Sequence, residues 1–456
     1  MASFLDNSLP IRITLLKASE LFFTLLALPL TYKLQANGVF TSMTGTDALV
    51  SLIGLSVFLC LYLIGFYEPA ITIRPIQGLS CIMQASGLTL IVIGSVLEAG
   101  VPALRNSPTV LTGMLLIVGG LTVSRLVYAR VSQHPAFTQA AIVWGSGRLA
   151  ATIIRELRKR TDLGIQVIGM IDYDFCGERL AGTPYIGTLE ALWGLAEARQ
   201  VQRLVIALED RRGNLPLERL VSAKAAGLVV EDAAELYEEL TGKVWLGTFS
   251  EEALLFSHSF RPSRRNTFIM GALSRLFAIA ALIAAAPVML ILALLILCES
   301  RGPVLFRQTR IGKNGRPFTM LKFRSMKIES TGCSPPTVDD PRFTRVGKWI
   351  RRFRLDELPQ LINILKGEMY LIGPRPFVPE QEESLVRAIP FYRQRWAVCP
   401  GATGWAQVHR DYCSSLEDNI EKLAYDLFYI KHISLSLDLL VFFKTVRVVL
   451  LGRGGR

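Results

Sequence analysis

Apolar residues are distributed along this chain in three regimes. Up to about residue 130 they form long runs, roughly Ile13–Tyr32, Ala48–Tyr67, Ile76–Leu97 and Val110–Val127. Each is close to the ~20 residues that cross a bilayer as a helix. Lys17 and Glu20 interrupt the first, which is the weakest of them. Arg12, Arg74, Arg125 and Arg130 would share one side, against Lys33 and Arg105 on the other, so both ends of a four-helix transmembrane block are expected in the cytoplasm.

After His134-Pro135 the runs shorten and alternate. Ala140–Trp144 reads as a strand entering a helix through Gly145-Ser-Gly147, and Gln166–Asp172 and Val201–Leu208 read as further strands. Strands alternating with helices predict a doubly wound, Rossmann-like α/β domain. Gly145, Gly147 and Ala150 fit G-x-G-x-x-A, with Asp172 placed to meet a ribose. The same glycines serve the tight turn without any ligand, so a nucleotide or nucleotide-sugar site and a bare scaffold are both consistent with this pattern.

Ser257–Arg265 is a basic linker, and a run free of charge from Leu276 to Cys298 follows it. That run is long enough to cross a membrane. Arg261, Arg264, Arg265 and Arg275 precede it, however, and Arg301, Arg307, Arg310 and Lys313 follow. Basic flanks on both sides suit a segment that returns to the face it entered, and Pro287 in mid-run predicts a helix–break–helix re-entrant element. Further on, Pro303–Thr309 and Phe318–Phe323 surround Gly312-Lys-Asn-Gly315, a hairpin signal that places Lys322 and Arg324 near the membrane surface.

Asp356-Glu357 follows Lys348, Arg351, Arg352 and Arg354 and precedes the apolar run Leu358–Leu365. Asp356 is expected to cap that helix, with Pro359 in its first turn. Among arginines and free helix N–H groups it is expected to stay ionised, fit to act as a nucleophile, while the cations hold phosphate oxygens. The plainer alternative is a capped, charge-paired helix start. Ala388–Trp396 and Leu435–Leu451 are amphipathic or apolar with basic residues and suit interfacial helices or, equally, ordinary core helices.

Composition narrows the class. Of 456 residues 51% are hydrophobic, and the net charge of +12 sits largely beside apolar segments, which points to lipid headgroups and a phosphorylated substrate rather than nucleic acid. The seven cysteines show no CxxC spacing, and the four histidines show no metal-ligand spacing. No cleavable leader pattern is visible, so the first run is expected to persist as an anchor.

Four motifs in the last third carry a resemblance: Lys322-Phe-Arg-Ser-Met326, Leu355-Asp-Glu-Leu-Pro-Gln360, Gly373-Pro-Arg-Pro376 and Pro400-Gly-Ala-Thr-Gly-Trp-Ala-Gln-Val408. Together they resemble the bacterial polyprenyl-phosphate sugar-1-phosphate transferases, the monotopic phosphoglycosyl transferases, in their long, exopolysaccharide-type form. The resemblance implies three parts: 1–130 as four transmembrane helices, 135–256 as an accessory Rossmann-like domain, and 266–456 as a mixed α/β catalytic domain with a re-entrant helix over 273–299. It implies a multi-pass protein of the bacterial inner membrane with its catalytic domain on the cytoplasmic face. The activity implied is transfer of a sugar-1-phosphate from a UDP-sugar to undecaprenyl phosphate, giving UMP and a lipid diphosphosugar at the first membrane step of exopolysaccharide or O-antigen synthesis. Asp356 is then the nucleophile and Glu357 the Mg²⁺ ligand, with Lys322, Arg324, Arg351, Arg375, Arg410 and Asp438 as substrate-binding residues and Gly145 and Gly147 as cofactor-binding. The family commonly has Ser before the membrane proline, where this chain has Ala286, and Asn-Gly-Arg after Gln-Val, where this chain has His409-Arg410. A homo-oligomer is compatible with this reading. The rival class is a non-catalytic nucleotide-sugar sensor or scaffold; a transporter is disfavoured because the spans show no internal repeat.

Overall fold

A computed structural model describes residues 138–160, 163–173, 177–197, 200–208, 215–247, 263–327, 342–410 and 415–450, with short helical pieces between 115 and 127. Those pieces fall within the fourth expected span; the other three lie outside the described residues, so the four-helix bundle is not addressed. The chain divides into two units, Met1–Leu236 and Tyr237–Arg456.

The first unit holds a six-stranded sheet of β1 (Gln139–Trp144), β2 (Ile165–Ile171), β3 (Arg179–Leu180), β4 (Thr183–Gly187), β5 (Arg203–Ile206) and β6 (Val229–Asp232), in the order β3-β4-β2-β1-β5-β6. All pairings are parallel except β3 against β4. Helices α1 (Arg148–Lys159), α2 (Leu189–Glu197) and α3 (Leu217–Ala225) connect them, and α4 (Ala233–Thr241) follows β6. The order reverses between β1 and β5, which makes this the Rossmann-like sheet expected from the alternating pattern. Ile142, Trp144, Leu204 and Ile206 of its central strands are buried, as strands covered on both faces require. Gly145 has φ 129°, and a Cβ there would lie 2.6 Å from the Ala207 carbonyl oxygen. Close strand packing therefore demands this glycine without reference to a ligand. Gly147 has an ordinary φ of −70° at the start of α1, and Asp172 accepts from the Tyr173 N–H (2.7 Å), closing its own turn.

In the second unit a 36-residue helix, α5 (Arg264–Glu299), leads into the antiparallel hairpin β7 (Leu305–Ile311) and β8 (Pro317–Phe323). The hairpin turn is the expected one, with Asn314 and Gly315 both at positive φ. Then come α6 (Arg345–Arg352), α7 (Gln360–Lys366), β9 (Tyr370–Ile372), α8 (Pro379–Ala388), β10 (Gly401–Thr403), which pairs parallel with β9, α9 (Trp405–His409), α10 (Leu416–Lys431) and α11 (Leu435–Leu450).

The boundary falls about twenty residues earlier than the basic linker suggests. Trp405 Nε1 donates to the Gly242 carbonyl (2.8 Å), the Val244 N–H donates to the Ala424 carbonyl (3.1 Å), and Val244 is buried with Ile372 and Leu423. The stretch 237–247 thus belongs to the core of the second unit. Ala388–Trp396 also departs from its interfacial reading: Tyr392–Ala397 forms a 3₁₀ turn, with Tyr392 and Arg395 buried. Arg395 finds carboxylate partners inside, so its charge need not face water.

The expected break at Pro287 is absent, and α5 runs through it. A proline forfeits one backbone hydrogen bond, and the alanines 284–286 and leucines around it are strong enough helix formers to continue on either side. One stripe of α5 is buried. Ala278 packs with Met320, Leu361, Ile364 and Met369, while Leu292 and Ile296 pack with Phe323 and Ile350. The remaining surface is apolar and exposed, including Leu276, Ile283, Leu290, Ile291 and Leu294. Polar ties fasten both ends. Ser274 Oγ accepts from the Leu371 N–H (3.1 Å), and the Glu299 carboxylate accepts from the N–H groups of Arg345 (2.6 Å) and Val346 (2.9 Å) at the start of α6. A helix of this length measures about 54 Å, well beyond the ~30 Å hydrocarbon layer, yet both its halves lie against one folded body.

Candidate active site

Two neighbouring carboxylates reach the site through a strained reversal. Thr344 caps α6, its Oγ accepting from the Gly347 N–H (2.8 Å), and a Cβ on Gly347 would lie 2.0 Å from the Ser325 carbonyl oxygen, so the exit of β8 presses directly on this helix. After α6, Arg354 takes the left-handed conformation (φ 55°) and turns the chain into the 3₁₀ turn Leu355–Glu357. Such a residue costs on the order of 1 kcal/mol and is retained where the surroundings fix it. Asp356 therefore lies inside this turn and is not the cap of α7; Pro359 holds that position, with no side-chain cap.

Glu357 Oε1 accepts from Lys322 Nζ on β8 (3.0 Å) and from Arg375 Nη2 (2.9 Å), in the loop after β9. Burial alone would raise the Glu357 pKa, but Arg375 and Lys322 together hold its carboxyl far below the usual carboxylate range. Asp356 makes no ion pair among the described residues. Burial, and then the charge of Glu357, push it upward, with Lys322 and Arg351 only partly offsetting them. Burial and Glu357 thus work against the ionisation expected of Asp356, while Lys322 and Arg351 work for it. Lys322 is lowered by burial, against the pull of Glu357, and Arg375 is raised chiefly by Glu357. Two adjacent carboxylates with environments this unlike are suited to different tasks.

Of the expected site residues, Lys322, Asp356, Glu357 and Arg375 come together. Arg351 joins them through its field on Asp356, its guanidinium stacked over Phe343 at 4.4 Å. Arg324 is turned to another use. It is buried and donates to the Ser300 carbonyl (2.6 Å) and Oγ (2.8 Å) and to the Arg301 carbonyl (3.0 Å), capping the end of α5. Arg410 pairs with Asp418 (3.5 Å) and Glu421, and no bond joins it to either active-site carboxylate among the described residues. Asp438 is buried, accepts from the Tyr429 hydroxyl (2.8 Å), and is pushed up to about 6 by burial. Sequence reasoning missed Asn363, Arg395 and Asp426. The signal was present in the first and last: each is a lone polar residue inside an apolar helical run.

Residues 265–452 match the bacterial sugar transferase family, and residues 63–214 match a CoA-binding domain. Over 78% of this chain and 82% of the relative, the sequence is 37% identical to a UDP-N-acetylgalactosamine-undecaprenyl-phosphate N-acetylgalactosaminephosphotransferase of Aeromonas hydrophila. It is also 30% identical, over 87% of each chain, to the UDP-glucose:undecaprenyl-phosphate glucose-1-phosphate transferase of Escherichia coli K12. The chain belongs to the polyprenyl-phosphate sugar-1-phosphate transferases. It is therefore an enzyme of a membrane-associated family, and the non-catalytic sensor reading falls away. A further relative, the undecaprenyl-phosphate glucose phosphotransferase of Komagataeibacter xylinus, is 43% identical over 36% of this chain. The transferase match from 265 encloses the whole Lys322–Asp356–Glu357–Arg375 cluster, whereas Gly145 and Gly147 lie in the CoA-binding match.

Proposed function

We propose that this transferase moves a sugar-1-phosphate from a UDP-sugar to undecaprenyl phosphate on the cytoplasmic face of the bacterial inner membrane, through a phosphosugar carried on Asp356. The observation that carries the reading is the split between the two carboxylates: Glu357 is pinned by Lys322 and Arg375, and Asp356 beside it makes no ion pair among the described residues. In the first step an Asp356 carboxylate oxygen attacks the β-phosphorus of the nucleotide, the bond to the bridging oxygen breaks, and UMP leaves with that electron pair. In the second, a phosphate oxygen of the lipid attacks the same phosphorus, breaking its bond to Asp356 and restoring the carboxylate. Division into two displacements avoids bringing two anionic substrates together at once. Lys322, Arg351 and Arg375 oppose the phosphate charge in both steps.

Mg²⁺ fits this donor set. Both bonds to Glu357 end on Oε1, leaving Oε2 for a hard cation, and among the described residues no group of three or more potential ligands exists that would hold a metal by itself. One carboxylate plus substrate phosphates is a usual Mg²⁺ setting, in which the ion supplies charge neutralisation at the diphosphate. The fastening of both ends of α5 to one body supports a membrane element that stays on one side of the bilayer rather than crossing it, with its exposed apolar surface in the lipid. The relatives' names support the donor and acceptor classes. Purified protein with Mg²⁺, undecaprenyl phosphate and a panel of UDP-sugars should release UMP with one preferred sugar, and Asp356→Asn should release none. Full activity in that variant refutes the assignment.

A further inference from the structure

Arg375 can meet Glu357 only if the main chain of Gly373-Pro-Arg-Pro376 is held still, and a buried ionic assembly in the core of the second unit does this. Arg395 is 4% exposed, and its guanidinium serves several elements at once. Nε donates to Asp426 Oδ2 on α10 (2.8 Å), and Nη1 to the Tyr392 hydroxyl (2.5 Å) and Glu382 Oε1 on α8 (3.4 Å). Nη2 donates to the main-chain carbonyl of Arg375 itself (2.9 Å). The flanking carbonyls are also engaged: that of Pro374 accepts from the Gly401 N–H (3.0 Å), and that of Pro376 from Arg310 Nη1 (3.2 Å). Pro374 and Pro376 fix φ on either side, so the orientation of the Arg375 peptide is the freedom that Arg395 removes. Tyr429, three residues after Asp426 on one face of α10, places its hydroxyl 3.3 Å from the Ile372 carbonyl at the loop's entrance.

We propose that Arg395, oriented by Asp426, is a positioning residue that sets the Arg375 guanidinium on Glu357, and that the Tyr425–Ile430 segment of α10 is the platform for this brace. The proposal rests on the reading of Asp356, Glu357 and Arg375 given above. Arginine is required because its planar fork serves carboxylate and carbonyl together, which a lysine ammonium does not. Apolar residues would fill the same core with less desolvation, so a buried charge network here is explained by the geometry that it imposes.

The test is a double-mutant cycle on the full-length enzyme in lipid nanodiscs, following UMP release with both substrates present. Arg395→Lys keeps the charge and loses the fork. It should lower kcat by roughly 10- to 100-fold, with little change in KM for the UDP-sugar, as displacements of about 1 Å do. In an Arg375→Lys background the same substitution should cost less than about threefold, because the group it positions is already gone. Equal losses in both backgrounds would show a merely structural crosslink and overturn the proposal, as would no loss in either. If Arg395→Lys fails to fold, Tyr429→Phe replaces it, with a smaller loss expected and the same dependence on Arg375. An Arg375→Lys enzyme of wild-type rate would overturn the brace through its target. An active Asp356→Asn enzyme, by contrast, would overturn the reading of the site.

Discussion

Asn363 offers the most quantitative check on how the site is assembled. It is fully buried on α7 and acts as a substitute strand for the open edge of β8: Oδ1 accepts from the Leu321 N–H (3.0 Å), and Nδ2 donates to the Thr319 carbonyl (2.7 Å). Nδ2 also donates to Glu368 Oε2 (2.6 Å). The amide thus fixes the strand that carries Lys322 against the helix that follows Glu357. Asn363→Ala removes three bonds, one of them to a carboxylate, and orphans a strand N–H. At about 1 kcal/mol for each neutral bond and somewhat more for the charged one, the loss should be about 3–4 kcal/mol. For a unit of this size that corresponds to a fall in Tm of about 6–15 °C. Thermal unfolding in detergent, with UMP release measured on the protein still folded at 20 °C or so, reads both effects. Asn363→Asp should be worse at neutral pH, since it places a second carboxylate against Glu368. A fall of less than about 1 kcal/mol in Asn363→Ala, with full activity, would refute the strand-substitute account.

Arg324→Gln should lower stability by about 2–3 kcal/mol by uncapping α5 while leaving the KM for UDP-sugar unchanged; a raised KM at constant Tm would return Arg324 to the substrate site. A single cysteine replacing Arg301, in a protein stripped of its natural cysteines, should react with an impermeant maleimide only from the cytoplasmic side; labelling from the periplasm would show that α5 crosses the membrane. Asp438 has a folded pKa of about 6, raised by burial above its ordinary value, so its contribution to stability is full below about pH 4 and is lost as pH rises through 6. Asp438→Asn keeps an acceptor for Tyr429 and should be more stable than wild type at pH 7.5, by no more than about 3 kcal/mol, with stability flatter across this window; an unchanged pH profile would contradict the assignment.

Much of this was legible in the sequence because its signals are local. The alternation of β1, β2 and β5 marked the Rossmann-like unit, Asn314-Gly315 marked the hairpin, and the Lys322, Asp356-Glu357 and Arg375 motifs marked the site. What escaped notice depends on contacts distant in the chain. Arg324 is basic and close to the motif, yet only the fold shows that the end of α5 needs its donors. Asp356 lies among arginines in sequence, but only the fold shows that burial and Glu357 oppose the pull of Arg351 and Lys322 on its carboxyl. Pro287 predicts a break by its own chemistry, and the helix formers around it outweigh that preference. Arg395 and Asp426 are 31 residues apart and reveal a purpose only when the Arg375 carbonyl comes between their elements.

The central claim is the bond between Asp356 and the sugar phosphate. Purified enzyme, Mg²⁺ and a UDP-sugar labelled in the β-phosphate, with no lipid acceptor, should release at most one UMP per active site. The label should stay on the peptide containing Asp356, should be discharged by added undecaprenyl phosphate, and should be absent in Asp356→Asn. Intersecting double-reciprocal plots, with no UMP released before acceptor is added and no label trapped by rapid quenching, would instead show direct displacement in a ternary complex and contradict the covalent account.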